Sequence, residues 1–215
     1  MPSNSFRFIK QTFSTFRTTG AVAPSSRFLA RAMVQALPPV EKITSDVRVL
    51  EVGAGTGSFT CEIAKRLIHD GHLTVYEINP DFVHHLRNRM IKESTFQALG
   101  KRVELVEGDI LKLDQKQHYD AIVSGLPFNN FTPDEVNCFL EHFKTLLKPG
   151  GTLTFFEYFG IRPIQMPFVG HEKRQRLKGI AQIINKMVDE HQFHQRVVPL
   201  NLPPARARHF RFEPK

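Results

Sequence analysis

Glu51, Gly53, Gly55 and Gly57 stand at two-residue steps, with Ala54 among them, where a short β-branched run gives way to a helical pattern. Glycine at such a junction permits positive φ and lets a ligand lie against the backbone, while the N-terminus of the next helix adds positive partial charge. A nucleotide-like molecule suits that chemistry. A dinucleotide fingerprint would need glycine at position 58, which is Ser58, and a P-loop would need a Gly-Lys-Ser/Thr run that the segment lacks. Two carboxylates end the next two strand-like runs. Glu77, followed by Ile78, can accept both hydroxyls of a ribose, and Asp109, between Gly108 and Ile110, can meet an adenine edge.

Regular elements must bring these residues together. Residues 47–52 read as a strand and 59–67 as a helix whose Phe59, Ile63 and Leu67 share a face. Residues 73–78 read as a strand, 80–94 as a helix opened by Pro80, and 103–106 and 119–124 as two more strands. A helix over 133–147 is stopped by Lys148, Pro149, Gly150 and Gly151. A doubly buried strand over 152–159, a long helix over 172–190 and an antiparallel pair at 197–202 and 209–212 complete the chain. Alternation of this kind predicts an α/β, Rossmann-like fold with a mixed seven-stranded sheet and helices on both faces. Two helical segments precede it, 25–36 behind a serine cap and 5–17. In the latter Phe6, Ile9, Phe13 and Phe16 fall within an arc of about 80°, flanked by Lys10 and Arg17, with Phe8 off the stripe.

Glu51 to Gly57, Glu77, the pair Gly108 and Asp109, and the turn from Leu147 to Gly151 together resemble the class I S-adenosylmethionine-dependent methyltransferases over roughly residues 45–160. The resemblance implies S-adenosyl-L-methionine as cofactor, held by Ser25, Glu51, Gly53, Ala54, Gly55, Gly57, Glu77, Ile78, Gly108, Asp109, Ile110 and Ser124. The run from Gly20 to Arg31, the segment Ser124 to Phe128 and the late run Asn201 to Ala205 extend the likeness. They look like the bacterial phospholipid N-methyltransferases that carry phosphatidylethanolamine to phosphatidylcholine, whose relatives act on ornithine lipids. The resemblance thus implies a lipid-metabolic N-methyltransferase with Ser124, Gly125, Leu126, Phe128 and Tyr158 around the reacting amine. Glu157 is a candidate counter-charge for the ammonium.

Charge supports an anionic partner. The chain of 215 residues carries a net charge of +8, with six basic and two acidic residues in 1–46 and eleven against four in 162–215. Basic flanks around an acidic middle are where phosphate would be met. Arg162, Arg174, Arg176 and Arg206 are the candidates for the headgroup phosphate, with Lys173, Lys178 and Arg208 nearby. Phe6, Ile9, Lys10, Phe13, Phe16 and Arg17 have the composition of an interfacial helix, so residues 1–19 are expected to contact an anionic membrane and 20–215 to form the methyltransferase domain. The expected location is the inner face of the membrane, bound peripherally from the cytoplasm, because no apolar run approaches the roughly 18 to 20 residues needed to span a bilayer. A packing role for the phenylalanine stripe and a mitochondrial transit peptide are the competing readings of that segment.

Cys61 and Cys138 are expected as core thiols in a reducing compartment, and the histidines suggest no metal set. Nothing in the sequence speaks to oligomeric state. The rival functions are an RNA or DNA adenine N-methyltransferase and a cofactor- or lipid-binding module without transfer activity. Against nucleic acid, Ser124 replaces the Asn or Asp that adenine enzymes carry after this strand, with Gly125 inserted before Leu126.

Overall fold

The computed structural model describes residues 26–158 and 171–213. Seven strands form one sheet: β1 (Arg48–Val52), β2 (His72–Glu77), β3 (Val103–Glu107), β4 (Tyr119–Ser124), β5 (Leu147–Tyr158), β6 (Gln192–Val198) and β7 (Ala205–Arg211). Their order is β3-β2-β1-β4-β5-β7-β6. The first five run parallel, whereas β7 lies antiparallel between β5 and β6. The order reverses between β1 and β4, and a crevice opens at such a switch point beyond the carboxyl ends of the strands.

Helices cover both faces. On one side α1 (Arg27–Met33), α2 (Ser58–Arg66), α3 (Pro80–Lys92) and α4 (Ser94–Leu99) pack Leu29, Met33, Phe59, Ile63, Leu86 and Phe96 against Val49, Val75, Val123 and Phe156. On the other, α5 (Pro133–Leu146) and α6 (His171–His191) set Phe139, Phe143, Ile180 and Ile184 against Leu50, Ile122, Leu153, Phe155 and Phe210. Local signals start the helices where the chemistry demands. Ser26 caps α1 by accepting from the Leu29 amide, Asn79 caps α3 ahead of Pro80, and Thr132 with Glu135 closes a capping box on α5.

Several expectations need correction. The last two strands are Gln192–Val198 and Ala205–Arg211 rather than 197–202 and 209–212. β6 is an edge strand with polar residues exposed along its length, so alternating burial gives it no sequence signature. β5 starts at Leu147, before the glycine pair, because Gly150 donates to the Phe212 carbonyl and Phe212 to that of Gly151, which extends the β5–β7 pairing through what reads as a turn. The helix expected over 80–94 ends at Lys92, and the separate α4 follows. Cys138 is exposed on α5 rather than in the core, while Cys61 packs partly buried against it. The segment 5–17 lies outside the described residues.

Candidate cofactor and acceptor site

β1 and β2 deliver Glu51 and Glu77 fully buried to adjacent strand ends. The Glu77 carboxylate holds two loops at once. One oxygen accepts from the Gly55 amide at 2.8 Å and the other from the Asn79 amide at 2.9 Å, fixing the glycine turn and the start of α3. Burial raises its pKa, and the amide bonds counter only part of that cost. Glu51 lacks such partners: neither carboxylate oxygen closes a hydrogen bond, nor does the buried Thr60 hydroxyl that faces it. Desolvation pushes Glu51 up to about 8, with the Thr60 hydroxyl pulling the other way and the Glu77 charge adding to the rise.

The turn between β1 and α2 is shaped for an outside guest. Gly53, Gly55 and Gly57 all have positive φ, and a β-carbon on Gly55 would meet nothing within 4 Å, so that turn faces open space. A crevice of about 290 Å³ adjoins it, lined by Gly53, Glu77, Ile78, Gly108, Asp109 and Ile110, with Leu126 and Phe139 as its apolar floor. Asp109 accepts from the Leu111 amide and so orients the short turn at Ile110. Ala54 is buried beneath the turn and Ser25 lies outside the described residues. The Glu77 and Asp109 carboxylates that line the crevice and the open glycine turn beside it have the chemistry to hold an adenosyl group, whereas Glu51 is wholly buried and does not line it.

The second half of the site follows β4. Ser124 is fully buried and its hydroxyl accepts from the Leu126 amide at 3.3 Å, which shapes the turn. Gly125 extends the β1–β4 ladder by donating to the Val52 carbonyl at 2.7 Å, and a β-carbon there would sit 2.4 Å from the Gly53 carbonyl oxygen. The inserted glycine therefore seats the turn after β4 directly on the glycine turn after β1. Beyond it lie two hollows, of about 350 and 460 Å³, which share Glu157, Tyr158 and Ile184. Phe128, buried against Phe155, and Phe156 line the first, whereas Asn185, Arg206 and Arg208 line the second.

Glu157 pairs with Arg208 at 2.5 Å, and that guanidinium also donates to Gln192 at 2.7 Å. The strand-end acid is thereby engaged by protein. Of the candidate phosphate-binding arginines, Arg206 lines a hollow, Arg174 and Arg176 stand partly buried on the first turns of α6, and Arg162 falls outside the described residues. Sequence reasoning missed Asn185 and Arg89. Arg89 donates to the Thr56 carbonyl at 2.6 Å while its other nitrogens hold Glu93, so α3 clasps the glycine turn. The Arg89–Glu93 spacing is a helix pair in the sequence, but nothing local announces the reach to Thr56. Among the described residues no group of three or more His, Cys, Asp or Glu side chains could hold a metal ion.

Known proteins resemble this chain in sequence and in fold. Residues 49–151 match the family model described as a methyltransferase domain. An ornithine lipid N-methyltransferase of Singulisphaera acidiphila is 31% identical over 209 residues, covering 94% of this chain and 93% of that protein. The chain belongs to the class I S-adenosylmethionine-dependent methyltransferases of the lipid N-methylating type. Solved structures agree on the fold: a SAM-dependent methyltransferase of Methanosarcina mazei superposes with a TM-score of 0.64 at 14% identity, over 83% of this chain and all but 1% of that one. A SAM-dependent O-methyltransferase of Thermotoga maritima gives 0.53 at 16% identity, over 80% and 62%. The cofactor of this methyltransferase is S-adenosylmethionine, and the chemistry of the crevice lined by Gly53, Glu77 and Asp109 suits its adenosyl part. No helix among the described residues is long and apolar enough to cross a membrane.

Proposed function

We propose that this methyltransferase modifies the primary amine of a zwitterionic membrane lipid, phosphatidylethanolamine, on the way to phosphatidylcholine. One observation carries the reading: the paired hollows beyond Gly125, aromatic near the cofactor and cationic farther out, match a headgroup with an amine at its tip and an anion a few bonds behind. S-adenosylmethionine, when bound, supplies an electrophilic methyl group. The protein has to present a nitrogen lone pair to it. With an amine pKa like lysine's ~10.4, freeing that lone pair at pH 7 costs roughly 4 to 5 kcal/mol. Desolvation among Phe128, Phe156 and Tyr158 lowers the amine pKa, and in-line fixation can contribute roughly 7 to 11 kcal/mol. Positioning thus replaces a strong base. The Gly125 carbonyl accepts an amine proton, since the Ser124 hydroxyl is engaged by the Leu126 amide and the Leu126 carbonyl by the Phe128 amide. Phe128 and Tyr158 face the methylated cation, and Arg206 takes the phosphate.

The name of the Singulisphaera relative favours a second acceptor, ornithine lipid, whose carboxylate and terminal amine offer the same separation of charges. Radiolabelled cofactor incubated with vesicles of phosphatidylethanolamine, vesicles of ornithine lipid or RNA distinguishes them. Label in either lipid supports an amino-lipid acceptor and selects the headgroup, whereas label in RNA alone overturns it. The same reading assigns the stripe from Phe6 to Arg17 to the membrane. Deleting residues 1–17 is expected to reduce vesicle co-sedimentation at unchanged cofactor affinity, and equal sedimentation would refute that assignment.

A further inference from the structure

The turn between β6 and β7 carries the most exposed leucines of the described chain, Leu200 at 72% and Leu202 at 80%. Asn201 between them is 2% exposed. Its Oδ1 accepts from the Ser26 amide at 3.0 Å, its Nδ2 donates to the Pro203 carbonyl at 2.7 Å, and its own amide donates to the Val198 carbonyl at 3.3 Å. The leucines are therefore held outward by a residue fastened to the start of α1. Val198 pairs with Ala205 and Ala205 with Tyr158, so the turn lies at the end of the sheet that holds the acceptor hollows. Two further apolar side chains, Phe28 at 41% and Val197 at 42%, adjoin its anchors on α1 and β6. Exposed Arg27 and Arg196 accompany them.

Charge selects the partner. Residues 192–211 include four arginines and no Asp or Glu, and α1 likewise has no acid. Rigidly presented leucines inside a surround that stays net cationic after Arg208 is paired with Glu157 suit an interface that is apolar at depth and anionic at its boundary. A water-soluble acceptor would need neither.

We propose that the β6–β7 turn is a membrane-inserting wedge: Leu200 and Leu202 enter the acyl region of an anionic bilayer while Arg27 and Arg196 remain among the phosphates. Insertion there sets the acceptor hollows against the headgroup layer, so a lipid amine reaches the turn at Gly125 without leaving the membrane. The assignment rests on the amino-lipid reading above and adds a second, folded contact to the N-terminal stripe. It assigns depth to particular side chains, which makes it separable from overall binding.

The chain contains no tryptophan, so Leu202→Trp in the full-length protein introduces a single reporter. With vesicles of phosphatidylethanolamine and phosphatidylglycerol its emission is expected to shift to the blue and to be quenched by lipids brominated on the acyl chain. An unchanged, water-like emission from protein that sediments with the vesicles would overturn the wedge. Exchanging both leucines for serine is expected to lower vesicle partitioning and methylation of vesicle lipid by roughly 100-fold, about tenfold per side chain, with methylation of a short-chain soluble lipid unchanged. An equal loss on the soluble lipid would overturn the proposal by placing the turn in the catalytic site. A change from dimer to monomer in sedimentation equilibrium would also overturn it, by assigning the leucines to a second copy. Failure of the amino-lipid reading looks different: the unaltered protein would then methylate no lipid at all, whatever the reporter shows.

Discussion

Replacing Glu51 with glutamine tests how burial sets the charge at the end of β1, and the structure fixes both sign and size. The unfolded chain ionises this group near 4.5, whereas the folded protein holds its proton up to about 8, chiefly because the carboxyl is wholly buried and further because of the Glu77 charge, with Thr60 opposing the rise. Between those values the native state binds more protons than the unfolded one, so stability is greatest below the lower pKa and falls as pH rises. The slope from this one group is about 1.4 kcal/mol per pH unit, which makes its cost about 3 kcal/mol at pH 7 and about 4 kcal/mol by pH 8, where the folded group itself begins to ionise. Glutamine has the same shape and no proton to lose. Urea denaturation of the cofactor-free proteins, followed by circular dichroism from pH 5 to pH 8, should therefore show Glu51→Gln nearly equal to the parent at pH 5 and increasingly more stable above it. Glu77 is raised by burial in both proteins, so its contribution cancels in the difference. Parallel stability curves, or a variant that weakens as pH rises, would refute the claim that burial holds the Glu51 carboxyl protonated.

Glu77→Ala removes the acceptor of two amides together with that of the ribose, and should weaken cofactor binding by roughly 1.5 to 3 kcal/mol in calorimetry. Unchanged affinity would deny Glu77 the ribose. Gly125→Ala forces a β-carbon against the Gly53 carbonyl and should cost about 1 to 3 kcal/mol in stability while raising the cofactor KM, because the two turns must part. A variant with the parent's melting temperature and KM would show that the contact is slack. Arg206→Gln should raise the KM for vesicle lipid roughly tenfold at constant cofactor affinity, in keeping with the loss of one charge-assisted contact. Loss of cofactor affinity instead would take Arg206 out of the acceptor site.

Much of the cofactor half was legible because its determinants are local. Glycines at two-residue steps after a β-branched run, and acids closing the next two strands, state their geometry within a few residues, and Gly53, Glu77 and Asp109 line one crevice as the pattern requires. The acceptor half was harder. Phe128 and Tyr158 do meet at one hollow, but Asn185 enters the adjoining one, which shares Tyr158, from the middle of α6 through tertiary packing alone. Arg89 and Asn201 act across 33 and 175 residues, on Thr56 and Ser26, and no spacing rule reaches that far. β6 was misplaced because the apolar run after Val197 imitates a strand while the true one is a polar edge. Cys138 misled for a related reason: thiols are usually buried, and this one turns outward between the inward-facing Val136, Phe139 and Leu140.

The seat of Gly125 on Gly53 constrains how the acceptor preference of this scaffold can change. With no side chain at one residue and a carbonyl pressed against it from the other, neither loop can be remodelled without disturbing its neighbour. On the proposed function, selection for a new headgroup is thereby channelled away from the glycine pair and onto the outer wall, where Asn185 on α6 and Arg206 on β7 can vary without touching it. Divergent relatives built on this plan should differ in that wall while keeping the joint beneath it intact.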